Sequence, residues 1–279
     1  MKDRYENLDE YIADLRAALS QNDGCANHHY NLGVALLSKG DFVAAEESFL
    51  AAVRNSSHLA EAYVQLGGIC LQRGDLEGCL RYNEEAANCR AKFPVPWSNI
   101  GFVHLQRGEP EKAISALQKA LKWDAEFIQA MATLGAAYYM NGQYDESIKI
   151  SEKAIEKQPG FAPAWNNLSL AWFEKGDYDK AAEYADKAIE FGFDVRPEYL
   201  EEIAAHRNKY GGGVRTGGGS FYKKLPPPAP PRKNVDWWGG HAAGVPVMKK
   251  GSRNIPGTFF MQLREGLKGN GFSGIFHFP

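Results

Sequence analysis

The chain lacks the features that most often settle a protein's class at sight. No apolar run approaches the roughly 20 residues that cross a bilayer, and the opening "MKDRYENLDEYIADLR" is charged, without an apolar signal core. A cytoplasmic protein with no membrane span is expected. Cysteine is scarce: four in 279 residues do not suggest a disulfide framework. No nucleophile, base and acid fall into a recognisable set. Paired acids such as Glu84-Glu85 and Glu201-Glu202 read as solvated helix faces. Metal ligands are equally thin, because "CANHH" (Cys25 to His29) has no second cluster at zinc spacing. "GNGFSG" from Gly269 has the spacing of a dinucleotide loop, yet only five residues follow Gly274, too few for the helix such a loop needs. No enzyme, no cofactor and no metal site are expected.

What is present is uneven. Residues 1–208 hold 21 Lys and Arg against 32 Asp and Glu, a net −11, whereas residues 209–279 hold 11 against 2, a net +9. Such asymmetry points to two physical roles within one chain. The acidic part is also periodic. "NLGVALLSKGDF" from Asn31, "QLGGICLQRGDL" from Gln65, "NIGFVHLQRGEP" from Asn99, "TLGAAYYMNGQY" from Thr133 and "NLSLAWFEKGDY" from Asn167 each begin 34 residues after the last. Five units therefore start at Ala26, Ala60, Pro94, Ile128 and Ala162.

Each unit encodes a helical hairpin. A first helix of about fourteen residues ends at Gly40, Gly74, Gly108, Gly142 or Gly176, where the left-handed backbone that closes a helix costs glycine little. Asp41, Asp75 and Asp177 are suited to start the second helix, and Pro110 fits its first turn. Ala52, Ala86, Ala120, Ala154 and Ala188 recur on the second helix. Gly33, Gly67, Gly101, Gly135 and Ser169 recur on the first. Small residues on both sides permit close antiparallel crossing, and Tyr63, Trp97, Met131 and Trp165 fill the space around them. His104 shares its site with Leu36, Cys70, Tyr138 and Trp172, which reads as packing. Cys70 and Cys79 read as small core residues.

This period and pattern resemble the tetratricopeptide repeat over about residues 26–195. The resemblance implies an all-α, right-handed superhelical solenoid of helix-turn-helix units. The unit-closing proline of that family is present only as Pro159. The domain reading is a half-repeat helix in 1–25, five units in 26–195, a capping helix in 196–210, a Gly-rich linker in 211–220 and a basic, aromatic and Pro-rich, largely non-helical tail in 221–279.

The resemblance further implies that the first helices line a concave face that binds peptides or partner helices. With the packed positions set aside, that face holds Tyr30, Asn31, Val34, Gln65, Leu71, Asn99, Phe102, Leu105, Tyr139, Asn166, Asn167, Leu170 and Phe173. None is charged. Family members that grip acidic carboxyl ends use Lys and Arg there, so that partner class is rejected. An uncharged or apolar segment is expected instead, with the asparagines and Gln65 available to its backbone.

The tail carries ten Phe, Trp and Tyr residues from 209 onward, unlike ordinary low-hydrophobicity linkers. "LPPPAPP" from Leu225 favours polyproline II, and Pro227, Pro230 and Arg232 fit an SH3-type ligand spacing. Trp237 and Trp238 follow, then Phe259 and Phe260 in "TFFMQLREGLKG", and finally Phe272, Phe276 and Phe278. These are tail anchors for a partner or assembly. A fold-back of the basic tail onto the acidic array competes with that reading. Nucleic acid is a third reading, disfavoured because the basic residues are scattered and no RNA-binding module is present. The expected function is an interaction scaffold or adaptor in complex assembly, with a cochaperone or maturation factor as the alternative.

Overall fold

A computed structural model describes residues 8–210, which form twelve α-helices and no strand. The expectations for the Gly-rich linker and the tail fall outside the described residues. α1 (Leu8–Gln21) leads into five hairpins: α2 (Ala26–Lys39) with α3 (Phe42–Asn55), α4 (Ala60–Gln72) with α5 (Leu76–Cys89), α6 (Pro94–Gln106) with α7 (Pro110–Trp123), α8 (Ile128–Met140) with α9 (Tyr144–Lys157), and α10 (Ala162–Glu174) with α11 (Tyr178–Glu190). α12 (Pro197–Tyr210) closes the described array. Each helix packs chiefly on its neighbours in sequence, as a solenoid requires.

The turn chemistry follows the sequence closely. Gly40 adopts φ 82°, and its amide bonds back to the end of α2. The equivalent glycine of every other unit is also left-handed. The side chain of Asp41 then accepts from the Ala44 amide, Asp75 from Gly78 and Asp177 from Lys180. Pro110 stands at the start of α7, where its missing N–H is no loss. Gly192, with φ 86°, ends α11 in the same way and lay outside the repeat pattern.

The crossing of the two helices in a unit is set by a glycine facing a second-helix side chain. A Cβ on Gly33 would lie 2.7 Å from the Phe49 ring, on Gly67 2.3 Å from Asn83 Nδ2, on Gly101 2.5 Å from Leu117 Cγ, and on Gly135 2.6 Å from Ser151 Oγ. In the fifth unit the first helix carries Ser169, whose hydroxyl bonds the Ala181 carbonyl at 2.7 Å and lies 2.9 Å from the Tyr199 hydroxyl. The recurring alanines from Ala52 to Ala188 are fully buried. Asn83 is buried too, and it is satisfied. Its amide donates to the Cys79 carbonyl at 2.8 Å, and its carbonyl oxygen accepts from Asn99 at 2.9 Å.

Ion pairs tie successive units together. The residue before the turn glycine reaches the preceding second helix in Lys39–Asp9, Arg107–Glu77 and Lys175–Asp145. Arg73 reaches Glu46 instead, because Val43 stands at the acid's position. The fourth unit breaks the row with Asn141, which bonds Gln143. Pairs this exposed contribute about 0–1 kcal/mol each, so they fix register more than they add stability.

Candidate partner-binding face

Three rows of side chains run along the first helices, at the fifth, ninth and twelfth residue of each. They are Tyr30, Val64, Ser98, Ala132 and Asn166; Val34, Gly68, Phe102, Ala136 and Leu170; and Leu37, Leu71, Leu105, Tyr139 and Phe173. Exposure falls along the first two rows, and along the third as far as Tyr139, after which Phe173 is again half-buried. In the first two units these residues are half-buried, and Val34 is exposed at 37%. By the fourth unit Ala132, Ala136 and Tyr139 are all buried, and Asn166 and Leu170 follow them.

Helix size explains the gradient. α8 reads "IQAMATLGAAYYM", and its alanines let α6 and α10 approach it directly. Leu105, Ala136, Tyr139 and Leu170 consequently join one apolar core. The Tyr139 hydroxyl donates to Glu174 at 3.1 Å. Burial pushes the Tyr139 phenol well above its ordinary range, and the Glu174 charge pushes the same way. Phe173 is flanked by Tyr178, Tyr199 and His206, with ring centroids 5.2, 5.5 and 5.4 Å away, so α12 covers much of it.

The expected groove therefore needs correction. Its thirteen residues do not form one open channel along five units. Leu105, Tyr139, Asn166, Asn167 and Leu170 lie in the interior. Some of the amides expected to meet a guest are also engaged within the protein. Asn167 donates to the Ala132 carbonyl at 2.7 Å, and Asn99 donates to Asn83. Repeat position alone could not reveal this. The signal was the alanine content of α8, which sets how near its neighbours come.

What stays open is a shorter face on α2, α4 and the middle of α6: Tyr30, Val34, Leu37, Val64, Gly68, Leu71 and Phe102. It is apolar and carries no charge. Glu61, at its border, is held by Arg90. Gly68 is distinctive, since a Cβ built there meets nothing within 4 Å, unlike the packed Gly67 beside it. The row Val34–Gly68–Phe102 thus has a dent at its middle rung, walled by a valine and a phenylalanine.

Other candidates reduce to structure. His29 contacts Asp23 through its backbone carbonyl at 2.8 Å and its carboxylate at 3.2 Å. Cys70 and Cys79 are buried, and burial pushes their thiols up to about 11 and about 12, so neither is a thiolate near neutrality. Trp165, read as a packing residue, stacks on Phe191 with centroids 6.1 Å apart, and its indole N–H donates to the Pro159 carbonyl at 2.7 Å. The tail anchors Pro227, Pro230, Arg232, Trp237, Trp238, Phe259, Phe260, Phe272, Phe276 and Phe278 lie outside the described residues. No helix among the described residues is long and apolar enough to cross a membrane.

Sequence profiles described as tetratricopeptide repeat match residues 7–60, 104–168 and 162–191, together just over half of the chain. No curated protein matches the chain. Among solved structures the chain resembles MamA at 26% identity and TM-score 0.51, over 62% of this chain and 96% of that one. It resembles YrrB, described as a TPR protein with an unusual peptide-binding site, at 22% identity and TM-score 0.56, over 70% and 97%. It also resembles pilF of Pseudomonas aeruginosa at 20% identity and TM-score 0.61, over 71% and 90%. The latter two likenesses concern the fold alone.

Proposed function

The chain belongs to the tetratricopeptide-repeat family, and from that premise we propose that it is an interaction scaffold whose first three units hold an uncharged, apolar peptide segment or helix face. As a right-handed solenoid of helical hairpins it offers an extended surface to a partner. The observation that carries the reading is the open, charge-free face of α2, α4 and α6 with its dent at Gly68. A guest carboxylate would find no cation there, whereas an aromatic or branched aliphatic side chain would bury about 25 cal/mol for each Å² of apolar surface removed from water. The tail, with its Pro-rich and Trp237-Trp238 stretches, serves as the second binding element and joins a partner or assembly to whatever the array holds.

Selection of a random dodecapeptide library on the immobilised full-length protein tests the groove. Enriched peptides should be rich in Phe, Tyr and Leu and poor in all four charged residues. Val34→Glu should weaken them at least tenfold while the helical signal and melting midpoint stay put. Enrichment of acid-rich peptides, or indifference to Val34→Glu, would overturn the assignment.

A further inference from the structure

We infer that the resident occupant of this face is the chain's own segment Gly269–Pro279, "GNGFSGIFHFP", so that an external guest must displace it. The inference rests on the groove reading above and names what fills the groove when no partner is present.

Three observations support this segment. The first is chemical match. The open face is uncharged, and residues 269–279 contain no Lys, Arg, Asp or Glu while presenting Phe272, Ile275, Phe276 and Phe278. The preceding stretch, Thr258–Lys268, carries Arg264, Glu265 and Lys268, which the open face cannot pair. Burying them unpaired is unfavourable.

The second observation is reach. Tyr210 ends α12, and the open face is centred on α4, four units back. With helix axes about 8–10 Å apart, that distance is roughly 40 Å. The 58 residues between Tyr210 and Gly269 have a contour of about 190 Å at roughly 3.3 Å per residue, ample for any route around the array. Among the other stretches without Lys, Arg, Asp or Glu, Trp237–Met248 and Asn254–Leu263 each run into charge at both ends, Asp236 and Lys249 for one and Arg253 and Arg264 for the other. Leu225–Pro231 follows Tyr210 after only 14 residues, about 50 Å when taut, and runs directly into Arg232 and Lys233. It would reach α4 only when nearly straight.

The third is the field between the two parts. Residues 1–208 carry −11 and residues 209–279 carry +9. Attraction between them holds the tail near the array before any specific contact forms, and tethering sets an effective concentration in the mM range. The basic residues lie upstream of the uncharged segment. They can meet the acidic outer surface while the aromatics enter the groove. Phe276, central among the aromatics, fits the dent at Gly68 between Val34 and Phe102.

The test uses the full-length protein with benzoylphenylalanine in place of Phe276. Irradiation at high dilution should give intramolecular cross-links to α2, α4 or the part of α6 around Phe102, and Gly68→Leu should lower their yield at least fivefold. A Cβ at Gly68 meets nothing within 4 Å, so Gly68→Ala should melt no lower than the parent, and the melting midpoint of Gly68→Leu is measured beside it to separate loss of cross-linking from loss of fold. Cross-links confined to the second helices, cross-links only between chains, or a yield indifferent to Gly68→Leu would overturn the inference. A second arm separates this failure from failure of the groove itself. The full-length variant with Phe272, Phe276 and Phe278 all changed to Ser is titrated with the free peptide GNGFSGIFHFP. Binding that Gly68→Leu weakens at least tenfold supports the inference. No binding overturns it. If the peptide fails while the library-selected peptides still bind in a Val34-dependent way, the groove stands and only its named occupant falls.

Discussion

Gly67 and Gly68 are adjacent, both helical and chemically identical, yet alanine should act on them with opposite sign. A Cβ at Gly67 falls 2.3 Å from Asn83 Nδ2 and 3.4 Å from the Cys79 carbonyl. Asn83 cannot swing aside cheaply, because it is fully buried and bonded to Cys79 and Asn99. Relieving the clash breaks at least one of those bonds in a dry site, at about 1–3 kcal/mol, with overpacking strain of similar size. Alanine's helix preference over glycine returns only about 1 kcal/mol. Gly67→Ala should therefore destabilise the array by about 2–3 kcal/mol. Gly68→Ala meets open space, keeps the propensity gain and should stabilise by about 0.5–1 kcal/mol. Urea titration of both variants, followed by circular dichroism, measures the difference. Repeat arrays can unfold in parts, so each variant serves as the other's control. The double variant Gly67→Ala with Asn83→Ala should recover part of the loss, with a coupling of about 1 kcal/mol or more. Equal effects of the two single substitutions would refute the reasoning, since only the difference between a packed and an open helix face separates them.

Other consequences can be checked alongside. Tyr139→Ala, at a position first expected to line the groove, should cost about 3–5 kcal/mol by leaving a cavity in the core and removing the hydroxyl that donates to Glu174; a near-neutral urea midpoint would return Tyr139 to the surface. Asn141→Arg should complete the row of inter-unit ion pairs opposite Glu111 and raise stability by up to about 0.5 kcal/mol in low salt, a gain that 1 M NaCl should erase. The Cys79 thiol, raised by burial to about 12 from 9.0, contributes stability that is whole below pH 9 and lost progressively as pH climbs toward 12, because the unfolded chain ionises first. That loss should reach about 1 kcal/mol by pH 10 in urea titrations, and Cys79→Ala should reduce the pH dependence from 9 to 10, leaving the share carried by Cys70.

The sequence disclosed the architecture well because repetition multiplies weak local signals. A single glycine before an aspartate suggests a turn; five glycines at one spacing exclude most alternatives. The turn geometry at Gly40 and the caps at Asp41, Asp75 and Asp177 followed from local chemistry and appear as expected. The groove was less legible because it depends on distances between helices that are neighbours in space and 34 residues apart in sequence. Asn167 and Tyr139 occupy repeat positions equivalent to Gln65 and Leu71. Their burial comes from the closeness of α8, which no single position announces. The amides tell the same story: Asn83 and Asn99 lie 16 residues apart on different helices, and their bond depends on how those helices pack.

The same device, a small residue on a first helix, thus gives opposite results according to which side it faces. At Gly33, Gly67, Gly101 and Gly135 it faces the unit's own second helix and lets that helix come near. At Ala132 and Ala136 it faces the neighbouring first helices and lets the inner surface seal. At Gly68 it faces the concave side with no neighbour close enough to take up the space, and a dent remains. Binding capacity in this array is therefore not spread evenly by the repeat. It is placed where the repeat departs from tight packing, and Gly68→Leu is the one-residue change that should erase it without disturbing the fold.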